Sequence, residues 1–482
     1  MAPTPRNTLS VTDNRTGQTY TVPISADNSI DEAKPGQGER EENETEQGLR
    51  VYDPSYLNTA VVRSQITYID GERGILRYRG YPIEQLAEHS TFLETAYLIL
   101  YGELPTRAQF EFFSAEVMHH SALHTNVERL LGQFNDSAHP MSVLSSGFAA
   151  LSAFAPEANP ALQGQTLYSR ASSSPPDMHS LSTMDKQIYR LIGKAISLAA
   201  ASYRVRQGRP LNKPPHGLSY TGTFLYLLDY LNEEEYKPNP VFERALDVLF
   251  LLHADHEMNA SAASVLQVSS SLVDPYSAVA AGCESLYGPT HGGANEAVIR
   301  MLTRIGSPEK VPEYIEKVKR KEAVLSGFGH RIYRKSDPRS LVIRKVAEDV
   351  FAVTGKNPLL KTAMALHDAA LKDGYFVKRR LYPNVDFWSG LTDFMVVLFA
   401  IPRVVGWLAH WRQMMLNPTG VKIWRPRQLY VGAGVRDYVS MDERKDKNPD
   451  DPKAHPSTVA HTTSTRQMLA SYRGKIERQS RL

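Results

Sequence analysis

Three histidines stand in surroundings that suit them to bind a substrate or move a proton. HADHEMNAS carries His253 and His256 three residues apart, which on a helix puts both imidazoles on one face, with Asn259 a turn further on. LYGPTHGGANEA carries His291 between a Gly-Pro pair and a Gly-Gly pair, flanks that hold the backbone open to a close approach. GFGHRIYRKSDPR sets His330 in another glycine-flanked turn, with Arg339 nine residues later. YPNVDFWSG places Asp386 after a Pro-Asn break, IPRVVGWLAHW contains Arg403, and WRPRQLYVG supplies Arg425 and Arg427. Each residue also has a plainer use. His253 and His256 could be satisfied core histidines, Arg339 could cap a turn, Arg403 could form a surface ion pair, and Asp386 could be the N-cap of a following helix. A zinc site is disfavoured, because HADHE lacks the HExxH order and no third ligand is evident.

Positioning these groups falls mainly to helices. Residues 83–101, 108–134, 186–206, 242–259, 341–354 and 394–415 all carry apolar side chains at helical spacing. Strand signals are confined mainly to the first 80 or so residues. LSVTDNRTGQTYTVPI reads as a hairpin around Arg15-Thr16-Gly17, and ITYIDGERGILRYRG as two strands around Asp70-Gly71. Residues 171–185 read as an exposed loop, and the basic cluster 317–321 as a solvated helix face. The apolar run 394–401 stops at Pro402-Arg403, far short of the roughly 20 residues that span a bilayer, so a buried core helix is expected and no membrane role.

Taken in series, the motifs resemble those of the citrate synthase family. The likeness runs from about Val51 to Tyr430, through TYIDGERGILRYRGYPIEQLAEHS, LYGELPT and AHPM to the histidine, aspartate and arginine segments, in the family's order. It implies an all-α, two-domain, citrate-synthase-like helical fold with a short N-terminal β region. Residues 1–50 would form the hairpin and a polar linker, and 51–292 the first part of a large helical domain. Residues 293–398 would form a smaller inserted domain, and 399–482 the return of the large domain with a C-terminal tail. His256, His291 and the late arginines then line one wall of a cleft, and His330, Arg339 and Asp386 the other. Such a cleft must close during reaction, because a thioester enolate has to be kept from water.

The resemblance also implies roles. Turning the methyl group of an acyl thioester into a carbon nucleophile needs a base at carbon and a hydrogen-bond donor at the thioester oxygen. Asp386 and His291 match these roles, and His330 matches the group that polarises the ketone of a 2-oxo acid. Arg339, Arg403 and Arg425 match the family's carboxylate-binding guanidiniums, with His256 on the same substrate, oxaloacetate. Ser326, Gly327, Phe328, Gly329 and Arg334 match the contacts to coenzyme A, a co-substrate; no permanently bound cofactor and no metal are implied. A homodimer is implied, in which Arg425 reaches into the partner's site. The expected reaction condenses acetyl-CoA with oxaloacetate and hydrolyses the thioester to citrate and coenzyme A. A longer acyl-CoA giving methylcitrate or an alkylcitrate, or a catalytically retired paralogue, are the alternatives. Departures from the family pattern bear on these: between Ser389-Gly390 and Arg403 the chain is shorter by about two helical turns, roughly 11 Å of axis, and Leu266 stands where an arginine is expected.

Composition agrees. At 482 residues the chain exceeds the size at which single cores usually split, about 250–300 residues. A hydrophobic share of 42% and a charged share of 22% are those of an ordinary globular protein, and a formal charge of +3 is too small to imply nucleic acid. Cys283 is the only cysteine, so no intrachain disulfide can form, and its apolar neighbours suit a buried small hydrophobe. No secretory signal is read at the start, and residues 27–48 look like an acidic linker. Ser480-Arg481-Leu482 closely resembles a peroxisomal address, with a cytoplasmic location as the alternative.

Overall fold

The structure, a computed structural model, describes residues 7–14, 17–26, 29–30, 52–169, 171, 174–176, 180–330, 332–335, 337–354, 358–389 and 395–444. Most of the acidic linker, the C-terminal tripeptide and the short run after Ser389 lie outside these residues. Eighteen α-helices and five short strands make up the regular structure among them. The chain divides into two compact units, Met1–Trp424 and Arg425–Leu482. In the second unit, the described residues contain one 3-10 turn, Met441–Glu443.

Both β elements form where alternation and turn residues place them. Thr8–Asp13 pairs antiparallel with Gln18–Pro23, and Thr67–Asp70 with Ile75–Tyr78, to which Tyr81–Pro82 adds a short third strand. Long helical patterns, by contrast, are interrupted by capping residues. The expected helix over 83–101 is two, Ile83–His89 and Phe92–Tyr101, because Ser90 is extended and the Thr91 side chain caps the second through Glu94 N. The pattern over 108–134 likewise splits into Arg107–His119, opened by a Thr106–Gln109 capping box, and Thr125–Leu131, capped by the His124 ring. Asp185 does not belong to the exposed loop expected at 171–185. It sits in the first turn of helix Thr183–Arg206, is buried, and accepts from Tyr101 OH at 2.9 Å.

The break that matters most falls at 254–259. Helix Pro240–His253 stops there, because Glu257 takes a left-handed backbone (φ 58°) and Asn259 caps the next helix, Ala260–Ser269, by accepting from Ala262 N at 3.0 Å. Such a cap contributes about 1 kcal/mol. His253 therefore ends one helix and His256 lies on the turn between two, so the shared helical face expected from their spacing does not exist.

Met395–Met415 is the helix around which the large body is built. It packs against Phe92–Tyr101, Thr183–Arg206, Pro240–His253, Ala260–Ser269 and Pro275–Tyr287. Trp407 and Trp411 are fully buried on it, as is Arg403 directly after Pro402. No helix among the described residues is long and apolar enough to cross a membrane. Helix Pro338–Thr354 packs on both Pro240–His253 and Val385–Ser389, which brings the Arg339 and Asp386 segments to the HADHE turn. The basic cluster lies as expected on the solvated side of Val311–Lys319, with Lys317 pairing Glu313 at 2.7 Å and Lys319 pairing Glu316 at 2.8 Å. Cys283 is buried in Pro275–Tyr287.

Candidate active site

The HADHE turn is held from three sides. Thr67 Oγ1 donates to Asp255 Oδ2 at 2.5 Å, Tyr78 OH donates to Asp255 O at 2.8 Å, and His410 Nε2 lies 3.3 Å from Asp255 Oδ1. The central helix comes so near that a Cβ on Gly406 would fall 2.4 Å from Asp255 Oδ1, so only glycine fits there. His253 is tied to its own helix, its Nδ1–H donating to Leu249 O at 2.7 Å, and its ring edge meets Phe399 with centroids 4.5 Å apart. Burial takes its pKa down to about 3. His256 is free of the helix, and burial, then Arg339, hold it well below the usual histidine value. Its Nε2 is buried without a hydrogen-bond partner among the described residues.

Ser261, in the first turn of Ala260–Ser269, sets the state of His291. Its hydroxyl accepts from Trp407 Nε1 at 3.2 Å and lies 2.7 Å from Asn259 Oδ1 and 3.0 Å from His291 Nε2, while its backbone N–H donates to the same Nε2 at 3.4 Å. Since an N–H can only donate, Nε2 is the acceptor and the ring proton is assigned to Nδ1. Burial, then Arg403, keeps the ring neutral by lowering its pKa to about 4. His330 is fixed the other way round. Its Nδ1 accepts from the N–H groups of Ile332 at 3.0 Å and Tyr333 at 3.2 Å, which assigns the proton to Nε2. Burial and Arg339 hold this ring also at about 4. The rings of His256 and His330 meet with centroids 5.4 Å apart.

The turn after strand Thr67–Asp70 supports the His330 loop from below. Arg334 N donates to Gly71 O at 2.9 Å, and a Cβ on Gly71 would stand 2.2 Å from Ile332 O. Ile332 supplies one of the two N–H groups that orient His330, so this glycine is part of the histidine's support.

Asp386 belongs to the short helix Val385–Ser389. The N-cap of that helix is Asn384 and not Asp386: Asn384 Oδ1 accepts from Asp386 N at 3.0 Å and Phe387 N at 3.3 Å. The Asp386 carboxyl is thereby left for other work. The same asparagine pins the glycine loop, its Nδ2 donating to Gly329 O at 2.9 Å and its N to Gly327 O at 2.9 Å, while Gly329 N donates to Tyr382 O at 2.8 Å. Gly327 and Gly329 both adopt positive φ (77° and 81°), and the Phe328 ring packs on Phe387. Ser326 N points at Met301 Sδ, 3.3 Å away. Burial raises the Asp386 pKa to about 6 against the opposing pull of Arg339.

Two arginines reach this centre. Arg339 is 2% exposed and forms a bidentate pair with Asp337, Nε to Oδ1 at 3.1 Å and Nη2 to Oδ2 at 2.8 Å, rather than capping a turn. Arg403, at 1% exposed, is no surface ion pair; its Nε donates to His253 O at 2.8 Å and its guanidinium stacks 4.6 Å from the Phe399 ring. Burial lowers its pKa to about 10, which the Asp255 charge partly offsets. The electrostatic influence of Arg403 extends to Asp386, His256 and His291, and that of Arg339 to Asp386, His253, His256 and His330. Arg334 lies exposed at the rim, 3.7 Å from Glu72. Arg425 opens the second unit and is exposed. Among the described residues no group of three or more His, Cys, Asp or Glu side chains could hold a metal.

The spacing of the motifs did not reveal Ser261, Asn384, Asp337, Asp255 or Gly71. Ser261, Asn384, Asp337 and Asp255 each stand within two residues of a group already singled out. Asp255 and Gly71 act through contacts across more than a hundred residues, which spacing does not encode.

Comparisons with known proteins identify the family. Residues 55–427 match the family described as citrate synthase, C-terminal domain. A citrate synthase of Dictyostelium discoideum is 50% identical over 91% of this chain and 85% of its own length, and a peroxisomal citrate synthase of the same organism is 50% identical over 91% and 88%. The solved ternary complex of citrate synthase from the archaeon Thermoplasma acidophilum with carboxymethyl coenzyme A and oxaloacetate superposes with a TM-score of 0.70 at 28% identity, covering 80% of this chain and 98% of that one. With a matching family segment over most of its length and half its residues shared with curated members, this chain belongs to the citrate synthase family.

Proposed function

We propose that this protein condenses acetyl-CoA with oxaloacetate and hydrolyses the resulting thioester, releasing citrate and coenzyme A. The observation that carries this reading is that Arg403 acts on both His291 and Asp386 and Arg339 on both His330 and Asp386, while backbone N–H groups hold one nitrogen of each imidazole. In it, the Asp386 carboxylate removes a proton from the acetyl methyl group while His291 Nδ1–H donates to the thioester oxygen, where charge gathers. The resulting carbon nucleophile attacks the 2-oxo carbon, and His330 Nε2–H donates to the ketone oxygen as it becomes an alkoxide. Neutral rings suit both tasks, because each offers one N–H and has its other nitrogen occupied. Arg339, Arg403 and His256 hold the two carboxylates of oxaloacetate. In this reading the Ser326–Gly329 segment and Arg334 receive coenzyme A; that such a ligand is taken at all is supported by the carboxymethyl coenzyme A in the Thermoplasma complex. Arg425 is read as serving the partner's site in a homodimer.

The assay is release of free thiol from acetyl-, propionyl- and hexanoyl-CoA in the presence of oxaloacetate. Acetyl-CoA is expected to give the highest kcat/KM, with citrate as product and a specific activity that falls on dilution as the dimer sharing Arg425 separates. Thiol release that does not depend on oxaloacetate would end this reading. A preference for propionyl- or hexanoyl-CoA would reassign the acyl group. Import into peroxisomes is part of the proposal, supported by Ser480-Arg481-Leu482 and by the peroxisomal relative. A fluorescent fusion ending in Ser480-Arg481-Leu482 should be punctate and become diffuse when the three residues are removed; a pattern indifferent to the deletion rules the address out.

A further inference from the structure

Tyr333 stands beside the catalytic histidines and has no part in the reaction as described. Its side chain is 2% exposed, and its hydroxyl is buried with no hydrogen-bond partner among the described residues. Buried hydroxyls are rarely left unpaired, and where one persists in a site it marks a bond made to something else. The ring lies against both imidazoles, with centroids 4.8 Å from His330 and 5.7 Å from His256, whose own buried Nε2 is likewise unpaired. The backbone around it is fixed, since Tyr333 N donates to His330 Nδ1 at 3.2 Å and the next N–H donates to Gly71 O at 2.9 Å. Besides His330 and His256, Arg339, Asp337, Tyr78 and Glu257 are charged or titratable neighbours of the phenol. Burial pushes its pKa up, so it remains a donor at every working pH.

We propose that the Tyr333 hydroxyl is a further substrate contact, donating a hydrogen bond to a carboxylate oxygen of the 2-oxo dicarboxylate beside Arg339, and that it sharpens selection of that electrophile. The inference rests on the reading of the site as one for oxaloacetate. A site built to hydrogen-bond a substrate rejects analogues that leave its buried polar groups unpaired, so the hydroxyl acts on affinity for the electrophile more than on the chemical step.

The test is Tyr333→Phe, which keeps the ring against both histidines and removes only the donor. KM for oxaloacetate is expected to rise about tenfold or more, as for loss of a hydrogen bond to a charged group. KM for acetyl-CoA and kcat at saturation should stay within about threefold. Tyr333→Leu, which also removes the ring, separates the hydroxyl from packing: a Phe variant with wild-type constants beside an impaired Leu variant overturns the proposal. Independently, 3-fluorotyrosine placed at position 333 of the full chain should show a fluorine resonance that moves with oxaloacetate and not with acetyl-CoA. A resonance indifferent to oxaloacetate overturns the proposal as well. If the wild-type protein forms no citrate while the resonance still responds to oxaloacetate, the reaction assigned above fails and the contact stands.

Discussion

Asp386→Asn should reduce kcat by about 10³-fold, toward the upper end of what a positioned general base contributes, while oxaloacetate binding changes little. Asparagine keeps the volume and leaves the Asn384 cap, whose bonds go to backbone N–H groups, in place. What disappears is a carboxylate whose pKa burial raises to about 6, near the working range of the site. For the wild type, kcat/KM should therefore climb with pH and level off above 6. The histidines should leave no mark above 6, because burial holds the pKa values of His291 and His330 near 4. The sign for stability is opposite to that for activity. A carboxyl whose folded pKa is raised favours the folded state below its unfolded value, near 4, and loses that contribution as pH rises through 6. The Asn variant should accordingly resist thermal unfolding better than the wild type above pH 6, with the gap closing at low pH. Turnover within tenfold of wild type would remove Asp386 as the base.

His291→Ala should lower kcat by about 10²–10³, the usual cost of deleting one donor to a developing oxyanion. Its neighbours survive the loss, since Ser261 Oγ retains Trp407 Nε1 and Asn259 Oδ1 as partners. Oxaloacetate affinity should be nearly unchanged, whereas exchange of the acetyl methyl protons with solvent deuterium should slow in step with kcat. Exchange at the wild-type rate in a variant that makes no citrate would move His291 from enolate formation to a later step.

How much of this was legible beforehand can be read from particular residues. Helix identity is visible because apolar periodicity marks Thr183–Arg206, Pro338–Thr354 and Met395–Met415 to within three residues. Helix ends were not, because Thr91, His124 and Asn259 cap new helices inside what looked like continuous patterns. Glycine or proline breaks expose His291, His330 and Asp386, and spacing from His253 marks His256; the structure brings their segments together. The protonation state of each ring was illegible, because it depends on which backbone N–H groups face it: Ser261 for His291, Ile332 and Tyr333 for His330. Arg339 and Arg403 show the same limit, since a sequence gives the guanidinium but not the Asp337 fork or the Phe399 face that aims it.

The contacts of residues 63–78 bear on how the protein is made. Gln65 N and Arg63 O bond to Gln413, 348 and 350 positions along the chain; Thr67 bonds to Asp255, 188 positions along, and Gly71 to the loop at Arg334. A ribosome adding about 5–20 residues per second needs roughly 20–70 s to travel from Gln65 to Gln413. Over that interval the segment at 63–71 waits without its partners later in the chain, and pairings so distant in the chain form slowly even after release. Newly made chains should therefore depend on chaperones, and enzyme activity in a translation reaction should lag well behind the appearance of full-length polypeptide.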